Sequence, residues 1–183
     1  MSRLALLYMT REGQTKKIMR HIAASLRESG HDVFLSSIQA LPWDFSLSGY
    51  DAAVLGCSVR YGRHHQPFMA FIERYKNELD SMPGFFFSVN LTARKPERSE
   101  PYNNRYLQKF LARLTWRPTY VEVFAGALLY TRYNWLDRVM IQLIMRMTKG
   151  PVDPGCDTEF TDWKRVRLFS ERVSRELVSY SSV

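Results

Sequence analysis

Cysteine is scarce in this sequence, and long apolar runs are missing from it. Only two cysteines, Cys57 and Cys156, occur among 183 residues. They give little support to a disulfide framework or a metal site, so we interpret both as free thiols and expect no metal. No apolar run approaches the roughly 20 residues that a membrane-spanning helix requires, so we expect any membrane contact to be peripheral. The opening run Leu4–Met9 is shorter than the apolar region of a signal peptide, and we do not expect export.

Acidic residues are outnumbered by basic ones. The chain has 18 Asp and Glu against 26 Lys and Arg, which gives a net charge of +8 at pH 7. Such an excess favours an anionic partner: nucleic acid, phospholipid or a polyacidic small molecule. No recognisable nucleic-acid-binding motif accompanies the charge, so nucleic acid is not an expected partner.

Strand-like and helix-like segments alternate along the chain, with no internal repeat, which predicts one domain over residues 1–183. Apolar segments predict buried parallel strands at Leu4–Met9, Val33–Leu35, Ala52–Gly56, Phe85–Val89 and Val121–Leu128. Apolar residues at helical spacing predict helices at about Ile18–Leu26, Pro67–Asn77, Tyr106–Leu114 and Asp162–Val178. The alternation predicts an α/β fold: a flavodoxin-like, doubly wound, five-stranded parallel sheet in the order 2-1-3-4-5. Its switch point would lie at the carboxyl ends of strands 1 and 3.

The loop after the first strand has the residues of an anion-binding cradle. It comprises Thr10, Arg11, Glu12, Gly13, Gln14 and Thr15. Free amides and the dipole at the start of the following helix attract a phosphate. The loop has one glycine and no Walker lysine, which favours a mononucleotide over NAD or ATP. The alternative is a plain helix cap made by Thr10 or Thr15.

Three further segments are candidates for the walls of the same site. Ser58, Arg60, Tyr61 and Gly62 follow the third strand and would accept a flat ring, although an ordinary turn remains an alternative. Ser88, Val89, Asn90 and Leu91 end the fourth strand, where they would hydrogen-bond a heterocycle or merely close the strand. Gly126 completes the predicted cofactor-binding set. His64 and His65 receive no role, because a histidine pair in a loop is more often solvated than catalytic.

The surface loop after the fourth strand is rich in charge and proline. Arg60 before it and Arg94 and Lys95 within it are candidates for contacts with substrate carboxylates. A solvated face is an equally good interpretation of this loop.

Residues 130–150 form an inserted helical segment after the fifth strand. Most of the helix is apolar, and Arg138, Gln142 and Arg146 form a narrow polar stripe. A core helix and a helix at a membrane surface or a hydrophobic ligand are the two alternatives. The candidates for membrane or quinone contact are Trp135, Arg138, Met140, Ile144, Arg146 and Lys149.

Five segments together resemble the oxygen-independent protoporphyrinogen IX dehydrogenase (quinone) family. They are TREGQT, GCSVRYGRHH, SVNLTARKPE, AGALLYTRYNWLDRVMIQLIMRMTKG and FTDWKRV, and the likeness covers nearly the whole chain. The resemblance implies FMN as the cofactor, protoporphyrinogen IX as the donor, and menaquinone or ubiquinone as the acceptor. It also implies a peripheral place in haem biosynthesis at the cytoplasmic side of the cell membrane. On this basis the loop Thr10–Thr15 holds the FMN phosphate, and the ends of strands 3 and 4 surround the flavin ring.

Two other oxidoreductase functions suit the same fold. One is a flavodoxin-type electron carrier, although such carriers are typically acidic and this chain is basic. The other is an NAD(P)H:quinone reductase, which the sequence does not exclude. No aspartate, glutamate or histidine is identified as the general acid or base.

Overall fold

A computed structural model gives the fold and describes residues 1–132, 135–147, 150, 151, 153 and 155–180. The five main strands are β1 (Arg3–Met9), β2 (Asp32–Ser37), β3 (Ala52–Arg60), β4 (Gly84–Asn90) and β5 (Tyr120–Ala125). They form a parallel sheet in the order β2-β1-β3-β4-β5, which confirms the predicted topology. A two-residue strand, Arg63–His64, folds back antiparallel on the end of β3.

Helices cover both faces of the sheet. They are α1 (Gln14–Glu28), α2 (Gln66–Arg74), α3 (Lys76–Asp80), α4 (Arg105–Leu111), α5 (Trp135–Met147) and α6 (Trp163–Tyr180). Short 3-10 turns lie at Ile38–Ala40, Leu91–Arg94, Pro96–Arg98 and Tyr130–Arg132. Side chains of α1 and α6 share one core cluster, and those of α2 and α4 share the other.

The central strands are apolar over most of their length because both of their faces are buried, and their polar residues lie mainly at the carboxyl ends. In β1, Leu4 and Leu6 pack with the cluster that contains α1 and α6, whereas Ala5 and Leu7 pack with the cluster of α2 and α4. All four side chains are fully buried. Burial of a leucine side chain contributes about 1.5–3 kcal/mol, so both layers stabilise the sheet whose carboxyl edge carries the site.

Two predicted elements end earlier than their sequence pattern suggests. The fifth strand stops at Ala125 and not at Leu128, because Ala127–Leu128 pair with Thr158–Glu159 in a separate two-stranded sheet. The predicted helix 67–77 is split at Tyr75, whose hydroxyl donates to the Phe45 carbonyl at 2.9 Å. In each case a contact distant in sequence overrides the local pattern.

The segment between β5 and α6 has a small core of its own. Residues Ala127–Leu128 pair antiparallel with Thr158–Glu159, and α5 is the predicted inserted helix. Leu128 of this two-stranded sheet is buried together with Tyr130 and with Met145 of α5. In the part of the chain that is described, no helix combines the length and apolar character needed to cross a bilayer.

Candidate functional site

The loop between β1 and α1 presents unused hydrogen-bond donors at the carboxyl edge of the sheet. Gly13 precedes the first residue of α1, has a left-handed backbone with φ of 101°, and provides no side-chain cap. Thr10 Oγ1 accepts from the Gly13 amide at 3.1 Å, so this hydroxyl shapes the loop and does not cap the helix. Thr15 Oγ1 is buried and has no hydrogen-bond partner among the described residues. A buried hydroxyl beside free helix amides fits a phosphate oxygen.

The side chain of Gln14 is held by a hydrogen bond to a distant part of the chain. Its amide donates to Thr161 Oγ1 at 2.9 Å, and Thr161 Oγ1 donates to the carbonyl of Ala125 at 2.7 Å. These two bonds connect the start of α1 to the end of β5, which is separated from β1 in the sheet by two strands, β3 and β4. Gln14 therefore positions the cradle.

An ion pair joins the cradle to the loop after β3. The guanidinium of Arg60 contacts the carboxylate of Glu12, and both side chains are mostly buried. Arg60 also lies over the ring of Tyr61, 4.9 Å from its centroid. Because Glu12 compensates the charge of Arg60, Arg60 is a weaker candidate for a substrate carboxylate than the sequence indicated.

Tyr61 and Gly62 form a strained, exposed corner of the site. Tyr61 has φ of 49°, which is unusual for a residue with a side chain, and Gly62 follows with φ of 75°. Residues in such conformations cluster at binding sites. The Tyr61 ring is exposed, so a flat ligand could pack against it.

Two polar residues near the end of β4, Ser88 and Asn90, use their side chains in hydrogen bonds to other parts of the protein. Ser88 is fully buried and pairs with His64 Nε2 at 2.8 Å, so it lies beneath the site and not in its lining. The Asn90 side chain accepts from the Ala93 amide and exchanges hydrogen bonds with the amide of Asn104. The Asn90 side chain therefore stabilises the loop after β4, which lines the cavity. The sequence did not indicate this role.

The two adjacent histidines have different surroundings. The His64 ring lies 4.2 Å from the ring of Phe110, and burial lowers its pKa to about 3. The neighbouring His65 Nε2 lies 3.3 Å from Ser58 Oγ. Local sequence does not indicate these contacts, because they depend on how the strand Arg63–His64 folds back on the end of β3.

One cavity of about 270 Å³ connects these loops. Its lining includes most of the predicted cofactor residues, but not Arg11, Gly13 or Ser88. Residues that the sequence analysis did not single out also line it: Val59, Thr92, Arg98, Tyr106, Ala127, Ile141 and Met145. The cavity thus joins the phosphate cradle to the loop after β4 and to α5.

A second opening on the outer side of the cradle is strongly basic. Arg11 lines it together with Lys16, Lys17 and Arg20 of α1. Lys17 is paired with Glu159 at 2.5 Å. Arg11 therefore lines this second opening and not the main cavity.

One wall of the cavity is the basic loop, residues 94–98 after β4. Arg94, Lys95 and Arg98 all line it. The guanidinium of Arg94 donates to the Leu91 carbonyl at 2.9 Å and lies over the Phe160 ring, and burial lowers its pKa. These contacts hold the Arg94 guanidinium in one orientation. An arginine without such contacts would move freely at the surface.

Helix α5 has an inner and an outer face. On the inner face, Met145 is buried, and Met140 and Ile141 line the cavity with it. Arg138 donates to the Tyr130 carbonyl at 3.1 Å, so it braces the start of the helix. On the outer face, large apolar side chains are 59–72% exposed, namely Trp135, Leu136, Val139 and Leu143. Arg146 is exposed, whereas the Ile144 side chain and Lys149 lie outside the described residues.

Comparison with known proteins agrees with this site. A family model described as a flavodoxin domain matches residues 5–154. A protoporphyrinogen IX dehydrogenase (quinone) from Escherichia coli (strain K12) is 41% identical over 169 residues, which cover 92% of this chain and 93% of that protein. The chain belongs to the protoporphyrinogen IX dehydrogenase (quinone) family.

Other matches place the family within the flavodoxin fold. A Leishmania major protein of the same description is 42% identical over 166 residues, 90% of this chain and 71% of that protein. The structure of Flavodoxin 1 from Bacillus cereus aligns with a TM-score of 0.50 and 19% identity, over 68% of this chain and 84% of that one. The matches confirm the flavodoxin-like fold and the resemblance found in the sequence.

Proposed function

We propose that this chain oxidises protoporphyrinogen IX to protoporphyrin IX, with FMN as its cofactor and a respiratory quinone as the electron acceptor. The observation that best supports this function is the cavity that runs from the phosphate cradle to the basic loop and α5. An electron carrier needs only an accessible cofactor edge. A cavity that continues past the cofactor loops to an apolar wall suits an enzyme with an apolar substrate.

The cradle fits the phosphate of FMN through this chain's own groups. Thr15 Oγ1 and the first amides of α1 would donate to the phosphate, while Ser58, Tyr61, Val89 and Gly126, which line the cavity, would hold the ring system. When bound, FMN supplies the acceptor for two electrons from the donor. The protein orients the two molecules and keeps water from the reacting atoms.

The donor is an apolar macrocycle with carboxylate side chains. The cavity has basic residues on one side, which suit the carboxylates, and apolar residues on another, which suit the macrocycle. Arg94, Lys95 and Arg98 supply cations for the carboxylates, and Arg94 is held in place by its bond to Leu91. Met140, Ile141 and Met145 form the apolar wall. Arg60 joins the two cofactor loops through Glu12.

The outer face of α5 is the proposed contact with the cytoplasmic side of the cell membrane. Burial contributes about 1.5–3 kcal/mol for each large apolar side chain, so four exposed ones on one face favour a covering surface. Arg146 is exposed on the same helix and would add about 1 kcal/mol by attraction to anionic lipid. A membrane-bound helix that also lines the cavity gives quinone a short path to the cofactor.

Anaerobic turnover tests donor and acceptor together. The purified chain loaded with FMN is mixed with protoporphyrinogen IX and with a menaquinone or ubiquinone analogue, and porphyrin formation is followed by absorbance. We expect quinone-dependent oxidation and slow reduction of the flavin by NADH or NADPH. Rapid bleaching by NADH or NADPH, without porphyrinogen oxidation, would instead identify an NAD(P)H:quinone reductase.

A further inference from the structure

The floor of the cavity contains a hydroxyl that is bonded to an otherwise unassigned histidine. Ser58, near the end of β3, lines the cavity, and its Oγ lies 3.3 Å from His65 Nε2. His65 immediately precedes α2 and is partly exposed, so the residue that bonds the serine is also in contact with solvent. The pair therefore connects the cavity to water through two exchangeable protons.

The charges around His65 are mixed. Glu12 and Arg11 face it from the loop after β1, and Arg60 faces it from β3. His64 is the next residue along the hairpin, and the thiol of Cys57 contacts the His65 backbone. Burial lowers the pKa of His65, Glu12 opposes that effect, and the two arginines reinforce it. At neutral pH the imidazole is uncharged and is able to accept a proton.

The proposed reaction requires such an acceptor. Each two-electron oxidation of a porphyrinogen removes two hydrogens, one as a hydride equivalent and one as a proton. Among the described residues that line the cavity, the one carboxylate, Glu12, is paired with Arg60. The other titratable side chains there are arginine, lysine and tyrosine, which are already protonated at neutral pH.

We propose that Ser58 and His65 form the proton relay of this site. The proton leaving the donor moves to Ser58 Oγ while the serine's own proton moves to His65 Nε2. The bound cofactor would supply the acceptor for the hydride equivalent, and the His65 imidazolium then releases its proton to water. This inference rests on the proposed function.

Three variants of the FMN-loaded protein test the relay: His65→Gln, Ser58→Ala and, as a matched control, the exposed His21→Gln on α1. The first readout is NMR titration of the His65 ring without donor. We expect a pKa below 6.5 and a changed Nε2 shift in Ser58→Ala. The second readout is the rate of flavin reduction by porphyrinogen as a function of pH.

In the parent protein this rate should fall as the pH drops through the His65 pKa, because the imidazolium cannot accept a proton. His65→Gln should lower the rate by about a hundredfold, within the usual range for acid–base catalysis, and should lose the acidic limb. His21→Gln should match the parent. If His65→Gln keeps both the parental rate and the acidic limb, the relay is wrong. If the parent itself fails to oxidise porphyrinogen, the proposed function fails and the relay fails with it.

Discussion

Replacing Thr15 by Val should change apoprotein stability and FMN affinity in opposite directions. Thr15 Oγ1 is buried without a partner, and an unsatisfied buried polar group costs about 1–3 kcal/mol. Valine keeps the branched shape and removes the hydroxyl, so the apoprotein should gain up to that amount. The hydroxyl that destabilises the empty protein is the same group that we expect to donate to the phosphate.

The expected loss of FMN affinity follows from the charge of the phosphate. A hydrogen bond to a charged group contributes about 1.5–3 kcal/mol, and each 1.4 kcal/mol changes the dissociation constant tenfold. Thr15→Val should therefore raise the Kd for FMN by roughly 10- to 100-fold. Quenching of flavin fluorescence measures Kd, and urea unfolding of the apoprotein measures stability.

Thr161→Val is the matched control. Its hydroxyl accepts from Gln14 and donates to the Ala125 carbonyl, so its removal takes one hydrogen bond from each of these two buried groups. This variant should destabilise the apoprotein by about 1–3 kcal/mol, whereas Thr15→Val should not. If Thr15→Val binds FMN as tightly as the parent, or destabilises the apoprotein as much as Thr161→Val does, Thr15 is not the phosphate donor.

Three other substitutions examine separate parts of the site. Gly13→Val should weaken FMN binding, because valine at φ of 101° is strained by about 1–3 kcal/mol and the loop must shift; an unchanged Kd in a fluorescence titration would exclude the cradle. Arg94→Ala should raise the KM for porphyrinogen while leaving the Kd for FMN unchanged, and an unaltered KM would remove this side chain from the substrate site. Leu143→Glu on the outer face of α5 should lower co-sedimentation with anionic liposomes without loss of FMN; liposome binding at the parental level would place the membrane contact elsewhere.

The parts of the site that local sequence predicts are those built by neighbouring residues. The cradle was identifiable because Thr10, Gly13 and Thr15 lie between a buried strand and an amphipathic helix. The order of strands was identifiable because uninterrupted apolar runs are typical of a parallel sheet covered on both faces. Both signals come from residues within one strand, loop or helix.

Contacts between distant residues account for what the sequence did not predict. Glu12 and Arg60 are 48 positions apart, and nothing local indicates that they pair. The reciprocal hydrogen bonds between the Asn90 and Asn104 amides give Asn90, a predicted ligand contact, a second role in supporting the loop after β4. Tyr75 splits a continuous helical pattern because its hydroxyl is held by Phe45 on another loop.

The sequence left two interpretations of the inserted helix, as a core element or as a membrane element. Each of them describes one face of α5. Met145 is buried with Leu128 and Tyr130, so the inner face belongs to a small core and to the cavity wall. The outer face exposes Trp135, Leu136, Val139 and Leu143, and no described residue covers them. Deletion of α5 would therefore uncover the small core around Leu128 and Tyr130 and would remove one wall of the cavity. Any lipid contact would be lost at the same time. Substitutions confined to the outer face separate membrane contact from construction of the cavity, because the packing of Met145 stays intact.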